Sequence, residues 1–220
     1  MIRIKICGVT NWADAKAASE AGANSLGLNF YEKSLRRVST ADAAQIRSKL
    51  PKEVEAVGVF VNAKPGDIVS LQSFVRFDAA QLHGDETPAT VSEVARSMRV
   101  IKALRVGPGF PLSVFDEFRD VAAFLLDAAR AGQYGGTGQT TDWAFARRAA
   151  EGRKIILAGG LTPENVGAAV RHVRPYAVDV ASGVETKPGK KDHGKVREFI
   201  EEVRRAEREL AGSAGESGTA

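Results

Sequence analysis

The 220-residue chain reads as α/β, one (β/α)8 barrel with a short tail. Three observations predict it. Eight short β-rich runs alternate with helix-like segments along nearly the whole length, which is the count of such a barrel. Chemically able side chains fall where those runs end, the face on which barrels carry their sites. An open doubly wound sheet, the alternative, predicts Gly-x-Gly-x-x-Gly after the first strand, and Gly8-Val9-Thr10-Asn11 is not that. No composition break marks a second domain. The TIM barrel is therefore assigned to residues 1–210 and a disordered tail, poor in large apolar residues, to 211–220.

The first strand, Ile2 to Gly8, alternates so that Ile2, Ile4 and Ile6 face helices while Arg3, Lys5 and Cys7 face the other way. Asn11 caps a helix over Ala13–Ala21 that stops at Gly22. Strand two is Ser25–Phe30. Thr40 caps the next helix, which reaches Leu50 before Pro51. Strand three (Glu55–Val61) leads to a short helix (Pro65–Phe74), and strand four (Phe77–His83) to a helix from Pro88 to about Met98. After strand five (Val100–Leu104) come a Gly107-Pro108-Gly109 turn and a weakly helical Leu112–Phe118. Strand six is Val121–Asp127, and a glycine-rich loop, 132–138, precedes a helix starting at Thr141 or Asp142. Strand seven is Lys154–Leu157, Thr162-Pro163 is a strong helix start, and strand eight is Ala177–Val180. A last helix covers about Lys195–Leu210.

With 44% hydrophobic and 26% charged residues, the composition is that of an ordinary globular protein. One cysteine excludes an intrachain disulfide framework and fits a reducing cytosol. Three histidines and that cysteine are too few for a Cys/His zinc signature. No run reaches membrane length, and the first strand stands where a leader would lie, so a cytoplasmic protein is expected. The net charge of +4 is mild, with Lys and Arg scattered rather than clustered with aromatics. That argues against nucleic acid and leaves cations free to hold an anionic small molecule.

At the strand ends lie Cys7, Asn29, His83 and Asp127, together with three glycine-bearing turns. These are Gly135-Gly136-Thr137-Gly138, Gly159-Gly160 and Ser182-Gly183, after strands six, seven and eight. Such turns let backbone amides approach a phosphate, at the place where these barrels usually bind one. Each residue also has a plain structural reading. A lone Cys is most often a small buried hydrophobe, Asp127 an ordinary loop carboxylate, His83 a structural or substrate-proximal side chain, and Arg36 and Arg37 a surface charge pair. The sharper readings are a thiol acting beside a phosphate site, a general acid seated among apolar neighbours, and an arginine folded onto a carboxylate. Strand eight closes beside strand one, so Lys5 and Asp179, both on the inward face, are expected to pair beneath Cys7.

Together these residues resemble the phosphoribosylanthranilate isomerase family of tryptophan biosynthesis. The likeness runs from Lys5-Ile6-Cys7-Gly8-Val9-Thr10 through Gln81-Leu82-His83-Gly84, Leu125-Leu126-Asp127 and Leu157-Ala158-Gly159-Gly160-Leu161. It ends in Asp179-Val180-Ala181-Ser182-Gly183-Val184-Glu185 and Pro188-Gly189-Lys190-Lys191-Asp192. It implies an Amadori rearrangement of N-(5′-phosphoribosyl)anthranilate without metal or cofactor. Cys7 would be the base, Asp127 the acid and Arg36 the anchor for the anthranilate carboxylate. The phosphate would sit on Gly135, Gly136, Gly138, Gly159, Gly160, Ser182 and Gly183, with His83 near the substrate. The partner is thus a phosphorylated small molecule, and the chain itself a monomer or homodimer. Asn29 in place of an apolar residue, Ala181 in place of Ser and Thr141 in place of an aromatic depart from the pattern. A sister sugar isomerase of histidine biosynthesis, alone or in bifunctional form, and a silent metabolite-binding barrel are the competing readings.

Overall fold

A computed structural model of the chain describes residues 1–128 and 142–216. The loop carrying Gly135, Gly136 and Gly138 lies outside them. Eight parallel strands close into one barrel in chain order: β1 (Arg3–Cys7), β2 (Ser25–Asn29), β3 (Glu55–Phe60), β4 (Ala79–Leu82), β5 (Arg99–Val106), β6 (Ala123–Ala128), β7 (Ile155–Leu157) and β8 (Ala177–Val180). Closure comes from β1 against β8, with Lys5 opposite Asp179.

Around the barrel run α1 (Trp12–Glu20), α2 (Thr40–Lys49), α3 (Pro65–Val75), α4 (Pro88–Ala95), α5 (Trp143–Ala150), α6 (Pro163–Val173) and α7 (His193–Glu216). After β5 the covering element is a short 3-10 turn, Leu112–Glu117, in keeping with the weak helical pattern there. The alternation of each strand splits the core into two layers. Ile4, Ile6, Leu26, Leu126 and Val178 pack outward under the helices. Val57, Ile101, Ala103, Ala123, Leu125, Ile156, Ala158 and Ala177 fill the barrel. A parallel sheet covered on both faces has this double burial.

Most helix starts follow their caps. Asn11 accepts from Asp14 N at 2.9 Å, and Asp142 accepts from Phe145 N at 3.0 Å. Thr162 opens α6 with a reciprocal cap from Asn165 and Pro163 in the first turn. One assignment is corrected: Ser39, not Thr40, caps α2, its hydroxyl accepting from Asp42 N at 3.1 Å. Two adjacent hydroxyl residues make equal candidates, and the acid three residues after Ser39 selects it. The last helix begins two residues before Lys195 and runs on past Leu210 to Glu216. Between β8 and α7 a small antiparallel hairpin, Glu185–Lys187 with Lys190–Lys191, was not expected. Asp14 of α1 fastens it, accepting from Lys191 N at 2.9 Å and lying 2.8 Å from His193 Nε2.

Candidate active site

A cavity of about 730 Å³, counted to its open mouth, lies at the carboxyl ends of the strands. It is lined by Cys7, Asn29, Arg36, His83, Asp127 and Gly159 among others, and also by Gly160 and Ser182. One site thus collects residues from β1, β2, β4, β6, β7 and β8. Gly183 is outside the lining, packed so closely on the Leu161 carbonyl that a Cβ there would lie 2.0 Å from its oxygen.

Cys7 ends β1 on the inward face and is 9% exposed. Its neighbour across β2 is Gly27, where a Cβ would stand 2.6 Å from the Cys7 sulfur. Only glycine leaves the thiol its place. Burial pushes the Cys7 thiol up from its usual range, against the pull of Lys5, and Asp179 adds to the rise. One turn of the pleat below, Lys5 Nζ donates to Asp179 Oδ1 at 2.8 Å, both side chains buried. Burial alone would lower Lys5, but Asp179 and then Cys7 outweigh it and hold it above 10.5. The expected pair therefore forms, and its cation is largely neutralised by Asp179.

Asp127 is the next-to-last residue of β6 and is 3% exposed. Its Oδ1 accepts from Ala128 N at 2.9 Å, and its Oδ2 lies 3.4 Å from His83 Nε2, out of hydrogen-bond alignment. His83 Nδ1 in turn is 2.8 Å from Gln81 Nε2.

Arg36 is not a surface charge. Its Nε and Nη2 both reach the Glu185 carboxylate, at 3.0 and 2.8 Å. Glu185 also accepts from Lys191 Nζ at 2.9 Å, and Lys191, wholly buried, donates to the Cys7 carbonyl at 2.6 Å. Burial lowers Lys191, more than Glu185 raises it. Asn29 holds the loop that carries Arg36. Its Oδ1 accepts from Tyr31 N at 2.9 Å and its Nδ2 donates to Ser34 Oγ at 3.1 Å. Ser34 Oγ then accepts from Arg36 N at 3.1 Å. Glu185, Lys191, Gly27 and Gln81 were missed as parts of the site. The hairpin glutamate had one signal in the sequence, its place directly after the Ser182-Gly183 turn.

At β7, Gly159 and Gly160 take φ of 83° and 61°, which favours residues without a Cβ. They bring backbone to the cavity just ahead of the α6 amino terminus. Among the described residues no group of three or more His, Cys, Asp or Glu is placed to hold a metal ion. None of the described helices is long and apolar enough to cross a membrane.

The closed barrel and its cavity mark a (β/α)8-barrel enzyme with a candidate active site at the carboxyl face. The family model for N-(5′-phosphoribosyl)anthranilate (PRA) isomerase matches residues 4–202. N-(5′-phosphoribosyl)anthranilate isomerase of Trichlorobacter lovleyi is 48% identical over 207 residues, covering 94% of this chain and all of the relative. That of Geobacter metallireducens is 50% identical over 200 residues, covering 91% and 98%. Among solved structures, the Thermotoga maritima phosphoribosyl anthranilate isomerase superposes with a TM-score of 0.87 at 43% identity, over 93% of this chain and all of that one. A phosphoribosyl anthranilate isomerase in complex with reduced 1-(o-carboxyphenylamino)-1-deoxyribulose 5-phosphate gives 0.84 at 40% identity, with the same coverage. The chain belongs to the phosphoribosylanthranilate isomerase family, enzymes of tryptophan biosynthesis.

Proposed function

We propose that this chain converts N-(5′-phosphoribosyl)anthranilate to 1-(2-carboxyphenylamino)-1-deoxyribulose 5-phosphate, with Asp127 as general acid and Cys7 as general base. The observation that carries this reading is a buried thiol and a buried carboxylate facing one cavity from β1 and β6, with glycine turns at its rim. The solved relative that holds a reduced form of this product supports the choice of substrate.

Asp127 donates its proton to the furanose ring oxygen, which keeps it as the C4′ hydroxyl while the C1′–O bond breaks and C1′=N forms. The resulting cationic Schiff base acidifies C2′–H and lies next to Cys7. Its positive charge favours the thiolate, which burial otherwise opposes. Cys7 takes the C2′ proton, leaving an enolamine, and moving the O2′ proton to C1′ gives the ketone. Cys7 has then gained the one proton that Asp127 lost, and exchange through water restores both.

Arg36 binds the anthranilate carboxylate. Glu185 occupies one edge of its guanidinium, through Nε and Nη2, and fixes its plane. Gly159, Gly160 and Ser182 hold the phosphate from the rim, joined by Gly183 and by Gly135, Gly136 and Gly138. His83 stands by the acid. The enzyme acts on this phosphorylated small molecule without a cofactor, in the cytoplasm.

The assay is the loss of anthranilate-type fluorescence on adding phosphoribosylanthranilate, with the aminoimidazole carboxamide ribonucleotide of the histidine pathway as second substrate. Rapid loss with the first substrate alone is expected. Turnover of the second alone, or of neither, contradicts the reading.

A further inference from the structure

Two buried polar atoms, on β4 and just beyond it, lack a hydrogen-bond partner among the described residues: Gln81 Oε1 and His83 Nε2. Buried polar atoms without partners are rare in folded proteins and ask for a reason. Gln81 is fully buried, two residues below His83 on the inward face of β4, opposite Val59 and Ile101. Its Nε2 lies 2.8 Å from His83 Nδ1, and His83 Nε2 lies 3.4 Å from Asp127 Oδ2.

Proton counting gives the unused Gln81 oxygen a role. With Gln81 donating, Nδ1 is bare and the ring proton sits on Nε2, facing an Asp127 carboxylate. That is the pair after it has given its proton away. When the pair holds the extra proton, either Asp127 donates O–H to a bare Nε2, or an imidazolium faces the carboxylate. In both forms Nδ1 carries a proton and needs an acceptor. A half-turn of the Gln81 amide presents Oε1 to Nδ1. Oxygen and NH2 are nearly equal in size, so the turn disturbs little packing.

We propose that Gln81 is a positioning residue whose amide donates to His83 when the Asp127–His83 pair is discharged and accepts from it when the pair is charged. This rests on Asp127 being the acid. The proton leaves the pair for the furanose ring oxygen and is replaced from water before the next turnover. Among the described residues, other charged groups around the pair are few. Cys7, Arg36 and Asp179 face it across the cavity, Arg36 paired with Glu185 and Asp179 with Lys5. From β3 the cavity receives only Val59 and Val61 just beyond it, and Arg105, beside Asp127 on β5, pairs with Asp85.

The test reads the ring nitrogens directly. The chain has three histidines, so nitrogen-15 spectra assigned with His172→Gln and His193→Gln isolate His83. Above the alkaline limb of kcat, Nδ1 should be bare, and below it Nδ1 should carry a proton. Gln81→Met keeps the bulk and removes the amide. Its kcat at neutral pH should fall roughly tenfold, with KM within about twofold. An Nδ1 state that does not change across the limb in the wild-type protein overturns the proposal, as does an unchanged kcat in folded Gln81→Met. If Gln81→Met does not fold, the wild-type spectra decide. Full turnover by Asp127→Asn would instead remove the acid assignment itself, whereas an inactive Asp127→Asn with an unresponsive His83 removes only the role of Gln81.

Discussion

Cys7 owes its position to Gly27 and its reluctance to ionise to burial. Both have consequences that can be measured. Alkylation of this single cysteine by iodoacetamide should be slow at neutral pH, with a midpoint above the free-thiol value of about 8.5. Mass spectrometry across a pH series gives the rate, and a midpoint below 8 contradicts the description of the thiol. The strand-end rule and the period of two exposed Cys7, Asp127 and His83 in the sequence, because each depends only on its own strand. The same period, with closure of strand eight on strand one, exposed Lys5 and Asp179. Glu185, Lys191 and Gly27 were not legible. Arg36 and Glu185 are 149 residues apart in the chain, and Lys191 reaches the Cys7 carbonyl over 184. Such contacts exist only once the barrel has closed.

The β2–α2 loop carries Arg36, the proposed anchor of the substrate carboxylate. Asn29, out of place as a strand residue in a family pattern that favours an apolar side chain, serves that loop. It secures Tyr31 and Ser34, and through Ser34 the backbone of Arg36. Arg36→Met should raise KM about a hundredfold with a small effect on kcat, the mark of lost ground-state binding. Asn29→Val should raise KM by only about three- to tenfold, since Glu185 still grips the guanidinium. Steady-state kinetics separate the two, and an Asn29→Val enzyme with unchanged KM would show that the loop holds itself. At this scale the strands and most helices were legible from alternation and caps. The hairpin after β8 was not, because three residues and then two, joined by a Pro-Gly turn, carry too little pattern to stand out from a loop.

The whole barrel is latched where its last strand meets its first, and a buried ion pair sits at that seam. Removing one partner leaves the other charged and dry, so Lys5→Met should cost about 3–5 kcal/mol in urea unfolding. A near-neutral result would mean that Asp179 finds another partner or takes up a proton. The pH dependence has a definite sign. Lys5 is held above its unfolded value, so its contribution is complete below about pH 10.5 and fades as pH rises through the folded value. Closure order and the two core layers were readable from eight alternating runs, whereas the glycine loop 132–138 lies outside the described residues.

Cys7 and Asp127 are proposed to divide the proton transfers between them. The most direct measurement is kcat and KM of Cys7→Ala and Asp127→Asn with phosphoribosylanthranilate. Each variant should lose about a thousandfold or more in kcat while KM changes by less than about fivefold. Turnover by either folded variant within about tenfold of the parent enzyme would contradict the claim.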